Sequence, residues 1–216
     1  QDRLYKNTFP LGDVELLDGP FKHAQELNLK VLMEYDVDRL LAPFLKEAGL
    51  PLKAEPFPNW AGLDGHVGGH YLSAMAMNYA ATGNEECKKR MEYMLSELKR
   101  CQESNGDGYI GGIPNGKVLW TDIKNGQVES IWKYWAPWYN VHKIFAGLRD
   151  AWMYTGNEEA LDMFLNLCDW GISVTEGLSD NQMEQMLANE FGGMDEIFAD
   201  AYQITGCLLY TSDAAD

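Results

Sequence analysis

The chain has 216 residues, 46% of them hydrophobic and 12% aromatic, enough apolar material for one sizeable core. Lys and Arg number 17 against 33 Asp and Glu, a net charge of -16, which repels nucleic acid phosphates and anionic lipid. No run approaches the roughly 18 apolar residues of a membrane span, so nucleic acid and membrane are both excluded as expected partners, while a neutral ligand bound by aromatic faces and hydrogen bonds stays open.

In chain order, FPLGDVELLDGPF (9–21) alternates enough to predict a short extended segment. FKHAQELNLKVLMEY (21–35) and VDRLLAPFLKEAG (37–49) read as helices, the second interrupted at Pro43, and His23 falls on a surface face. Pro51, Pro56 and Pro58 mark a loop, and further helices are expected at about 67–82, 85–103, 138–155, 158–172, 181–189 and 192–205. Within 85–103, Cys87, Met91, Met94, Leu98 and Cys101 repeat at spacings of four and three, an apolar stripe. On one helix Cys87 and Cys101 lie about 21 Å apart, too far for a disulfide.

An internal repeat organises these helices: GHYLSAMAMNYAATGNEE (69–86) returns as HKIFAGLRDAWMYTGNEE (142–159). Gly83 and Gly156 suit the left-handed residue that closes a helix, and Asn84 and Asn157 suit the N-cap of the next. A third copy begins at FGGMDEIFADAYQITG (191–206), where Gly206 matches Gly83 and Gly156. The first helix of each hairpin is apolar nearly all round and its partner is one-sided, which predicts inner and outer helices: an all-α chain forming about half of an (α/α)6 toroid.

Aligned on the Thr-Gly pairs, the starts of the inner helices should gather Asp64, His66, His70, Tyr139, Asn140, His142, Glu190, Asp195 and Glu196 at one rim. His66 and His70, four apart, resemble half of a zinc site, but HVGGH lacks the Glu of the HExxH motif, so ligand hydrogen bonding and structural capping both stand beside metal ligation. The stretch 103–140 reads as a long loop carrying Tyr109, Trp120, Trp132, Tyr134, Trp135, Trp138 and Tyr139. These rings suit stacking on a saccharide or packing over the barrel end.

LLDGPFKHAQELNLKVLMEYDVDRLLAPF, GLDGHVGGHYLSA, NGDGYIGG, YNVHKIFAGLRDA and LANEFGGMDE together resemble the β-L-arabinofuranosidases of glycoside hydrolase family 127 and the related family 146, over about residues 11–206. The resemblance implies a catalytic barrel removing β-L-arabinofuranosyl residues from plant-type glycans with retention, through a zinc-bound Cys nucleophile and a Glu acid/base. Those elements lie beyond the third repeat in the family, and none of Cys87, Cys101 or Cys168 occupies a matching position. No catalytic residue and no metal ligand is therefore carried over, and Asp64, His66, His70, Trp135, Tyr139, Asn140, His142, Glu190 and Glu196 are expected to bind sugar. The resemblance also implies an arabinose-containing glycan as partner and a periplasmic or secreted location. Other readings are another (α/α)6 glycosidase or sugar epimerase, with an acid/base pair such as Glu190 and His142, or a non-catalytic glycan-binding scaffold.

CLLYTSDAAD (207–216) abandons the repeat and looks like a translated sequencing adapter. The expected organisation is therefore residues 1–206 as the N-terminal part of the barrel and 207–216 as a non-native tail.

Overall fold

The computed structural model describes residues 4–6, 8–58 and 62–211. Nine α-helices follow one another among them: α1 (Pro20–Met33), α2 (Val37–Glu47), α3 (His66–Thr82), α4 (Glu85–Asn105), α5 (Gly116–Lys124), α6 (Pro137–Thr155), α7 (Glu158–Thr175), α8 (Asp180–Leu187) and α9 (Met194–Thr205). No strand occurs among the described residues. None of their helices is long and apolar enough to cross a membrane. The expected extended segment at 9–21 instead holds a 3-10 turn, Leu11–Asp13. Its Gly12 lies against the α3 backbone, where a Cβ would stand 3.2 Å from the Ala80 carbonyl.

The repeat builds the turns it predicts. Gly83, Gly156 and Gly206 take φ of 69°, 71° and 69°, each donating its N–H to the carbonyl four residues back. The Asn84 side chain accepts from the N–H groups of Glu86 and Cys87, and that of Asn157 from Ala160. The Thr before each glycine turns its hydroxyl onto the carbonyl four residues earlier.

Two helical layers result. α3, α6 and α9 form an inner row, each packed on the next, and α2, α4 and α7 pack behind them, the arrangement of an α/α toroid. The core lies between the rows. Cys87, Met91, Met94, Leu98 and Cys101 line it from α4, all at 1% exposure or less, as the apolar stripe requires. His23 is exposed.

The stretch 103–140 is not one loop. It contains α5 and a 3-10 helix, Val128–Lys133. Its rings also divide: Tyr109, Trp120 and Trp138 are buried with Trp170 of α7, whereas Trp132 and Trp135 stay 62% and 59% exposed. Packing over the barrel end is the role of the first set.

Candidate functional site at the rim of the inner helices

Glycine sets how closely the inner helices cross. A Cβ on Gly69 would stand 2.3 Å from the carbonyl carbon and oxygen of Lys143, and one on Gly147 would stand 2.9 Å from the Gly69 carbonyl. Only glycine at these positions lets the α3 and α6 backbones touch. Gly68 serves another neighbour, since a Cβ there would meet the Phe44 ring at 2.9 Å. The glycines of HVGGH are therefore packing devices as well as breaks in the helix surface.

That crossing brings the first turn of α3 beside the first turn of α6. The rings of His66, His70 and Tyr139 form a triangle with centroid separations of 6.2, 6.0 and 6.5 Å. His70 Nε2 lies 3.4 Å from the Tyr139 hydroxyl, and the Nδ1–H of His66 donates to the Leu63 carbonyl. His70 is exposed, and desolvation followed by the Lys143 charge lowers its pKa.

Lys143 joins this triangle to a second group. Its ammonium sits 4.6 Å from the centre of the Tyr139 ring and donates to His142 Nδ1 at 3.1 Å. His142 must then carry its proton on Nε2, which donates to Glu196 Oε2 at 3.3 Å. Burial, with Lys143 adding to it, holds His142 below its ordinary pKa and therefore neutral. Glu196 also accepts from Arg149 at 2.7 Å, the main reason its carboxyl sits below the usual range. Arg149 continues inward to Asp200 at 2.6 Å and to Asp150 at 3.1 Å, both carboxylates 3% exposed. A continuous polar path thus runs from exposed His70 through Tyr139, Lys143, His142 and Glu196 to buried Arg149.

The other expected rim residues have defined places. Asn140 is fully buried and donates to the Asp64 carbonyl at 2.9 Å, tying the loop before α3 to α6. Glu190 Oε1 accepts from the Tyr139 backbone N–H, so this carboxylate covers the start of α6, whose N-cap, Ala136, offers no side-chain bond. Burial raises the Glu190 pKa while the N–H groups of Tyr139 and Trp138 lower it. Glu190 and His142 hydrogen-bond to different partners, the one to the α6 backbone and the other to Lys143 and Glu196. Asp195 is exposed, and Trp135 makes no ring contact with the triangle among the described residues.

Lys143 and Arg149 were missed by the sequence reading. HKIFAGLRD carried the signal: two cations on an otherwise apolar inner helix must find partners when buried.

Zinc, which the resemblance implies, does not fit the residues described. No three His, Cys, Asp or Glu side chains among them are placed to hold a metal ion. The sequence does contain one Glu-x-Cys, Glu85-Glu86-Cys87, but it opens α4 at the far end of the inner row, about 24 Å from the rim by the length of α3. Cys87 is fully buried there, and burial pushes its thiol up; Cys101 is pushed up to about 12 in the same way, and Cys168 is raised likewise. These are packing thiols, and no chemical step is drawn through them.

A two-layered helical arc whose inner helices start at one polar rim is the build of a toroidal, glycosidase-type domain. The chain matches the family described as Beta-L-arabinofuranosidase, GH127 catalytic domain, over residues 13–214, and it belongs to that family. No match was found among curated proteins.

Proposed function

We propose that this chain is the N-terminal part of the catalytic barrel of a retaining glycosidase that removes β-L-arabinofuranosyl residues from plant-type glycans outside the cytoplasm. In this reading His70, Tyr139 and Lys143 bind the sugar, while the reacting groups and the zinc belong to chain beyond Gly206. Residues 207–216 are a non-native addition.

The observation that carries the sugar-binding role is the run of contacting polar groups from His70 to Glu196, hydrogen-bonded except where the Lys143 ammonium lies over the Tyr139 ring. Its outer members are accessible and its inner members are fixed by Arg149, so hydroxyls meet groups already oriented. Asp64, Asn140 and Glu190 act one layer back by holding the two helix starts in register, and His66 shapes the wall against Tyr139.

Titration of the chain with methyl β-L-arabinofuranoside tests the binding role, and release of nitrophenol from the aryl β-L-arabinofuranoside tests the chemistry. The expected result is saturable binding in about the millimolar range, weakened about fivefold by Lys143→Met, as one lost hydrogen bond implies. No turnover above a heat-killed control is expected, with or without zinc. Absence of binding would overturn the rim assignment; turnover would overturn the placement of the reacting groups.

A further inference from the structure

The segment joining α5 to α6 turns two indoles out into water. In its 3-10 helix, with three residues per turn, Val128 and Ile131 share one face and are at most 1% exposed, while Trp132 falls on the next face, 62% exposed. Trp135 follows at 59%, whereas Trp120, Trp138, Trp152 and Trp170 are all 7% exposed or less. Between outward Trp135 and inward Trp138 the backbone changes direction at Ala136, whose φ of 46° is a left-handed conformation that a Cβ opposes. Neither outward indole makes a hydrogen bond or a ring contact among the described residues, so their faces stay open.

The backbone carrying these rings is pinned. The Tyr134 hydroxyl donates to the Asn115 carbonyl at 3.3 Å, the Ser130 hydroxyl to Asp122 at 2.8 Å, and the Gln182 amide of α8 to the Gly126 carbonyl at 3.1 Å. A surface held in this way loses little freedom when a ligand settles on it. The segment packs chiefly on α5 and α8 and leads directly into α6, the middle helix of the inner row. A further hairpin of the ring would cover the row's ends, at α3 or α9, and so does not account for these two rings.

Trp135 is continuous with the rim. Tyr139 is four residues on, so its Cα lies at most about 15 Å from that of Trp135, and the Cα of Trp132 lies at most about 11 Å away on the other side. A ligand that reaches from the rim across both indoles is therefore a chain of sugars and not a single one. The net charge of -16 disfavours a polyanionic strand. Indole faces take the C–H faces of sugar rings while the hydroxyls around those rings stay in water. We propose that Trp132 and Trp135 form a stacking platform for the main chain of a neutral glycan built of β-1,4-linked pyranoses, whose equatorial hydroxyls leave both ring faces flat. The proposal rests on the glycosidase reading and extends it from the terminal sugar to the polymer that carries it.

The test is titration of the intact chain with xylohexaose, followed by calorimetry and by the blue shift of tryptophan emission as exposed indoles are covered. Saturable binding is expected, weakened about tenfold by Trp132→Ala or by Trp135→Ala at unchanged circular dichroism, and indifferent to added salt because the ligand is neutral. Saturating methyl β-L-arabinofuranoside should not displace the hexasaccharide. A chain that binds xylohexaose but not the arabinofuranoside keeps the platform and loses the rim assignment; the reverse result overturns the platform alone. Indifference to both tryptophans, or displacement by the arabinofuranoside, would also overturn it. So would self-association of the chain that the double tryptophan variant abolishes, since the rings would then be a contact between copies.

Discussion

Gly69 of α3 and Lys143 of α6 touch through their backbones, at a distance that leaves no space for a single methyl group. The whole rim depends on this contact, because Lys143 also carries the ammonium that links Tyr139 to His142. Gly69→Ala should therefore destabilise the chain by about 1–3 kcal/mol, although alanine gains about 1 kcal/mol in helix propensity. Urea unfolding checks this. A stabilised variant would show that the helices separate freely.

Arg149 neutralises two deeply buried carboxylates, Asp150 and Asp200, as well as the more accessible Glu196. Arg149→Met should cost about 3–5 kcal/mol, since it strands those charges rather than removing a pair. The deficit should shrink in acid as Asp150, whose carboxyl pKa is raised by burial, takes on a proton. A deficit that is small and independent of pH, read from urea midpoints, would argue against an ionised cluster.

The caps are predicted to act independently. Asn84→Ala and Asn157→Ala remove side-chain acceptors from different helices, so each should cost about 1 kcal/mol, and the double variant should show their sum. A double variant departing from additivity by more than about 0.5 kcal/mol would mean that the two turns communicate.

Two rim groups should give stability opposite slopes against pH. His142 titrates below its ordinary 6.5 when folded, so just beneath that value the unfolded chain binds more protons and stability rises with pH. Glu190 titrates above 4.5 when folded, so just above that value the folded chain binds more protons and stability falls as pH rises. His142→Gln should flatten the first limb and Glu190→Gln the second, in urea midpoints collected between about pH 4 and pH 8. Limbs that persist in the variants would assign them to other groups.

Legibility from sequence varied with the range of the forces involved. The hairpin turns were readable because a left-handed glycine followed by an Asn cap is a local device, and its chemistry is complete within a few residues. The buried stripe of α4 was readable because helical spacing alone sorts its faces. α5 was missed because Gly116–Lys124 is short and opens from a left-handed Asn115 with no side-chain cap bond. Its existence depends on packing against α7 and the neighbouring 3-10 helix.

At the rim, alignment of the repeats correctly placed the starts of α3, α6 and α9 at one end, but it did not distinguish among the residues there. Glu190 and Asn140 brace backbone, His142 is held neutral between Lys143 and Glu196, and Trp135 stands apart from the histidine and tyrosine rings. Which polar residue faces a ligand and which faces another helix is a question of partners distant in sequence.

The sequence by itself determined the helical hairpins, their caps, their apolar stripes and the family, because each is written in local spacing or in motifs of adjacent residues. Only the tertiary structure decided that Gly69 lets two helices meet and that Lys143 and Arg149 join the rim into one network. Those outcomes depend on contacts between segments far apart in the chain, where packing and desolvation set each side chain's role.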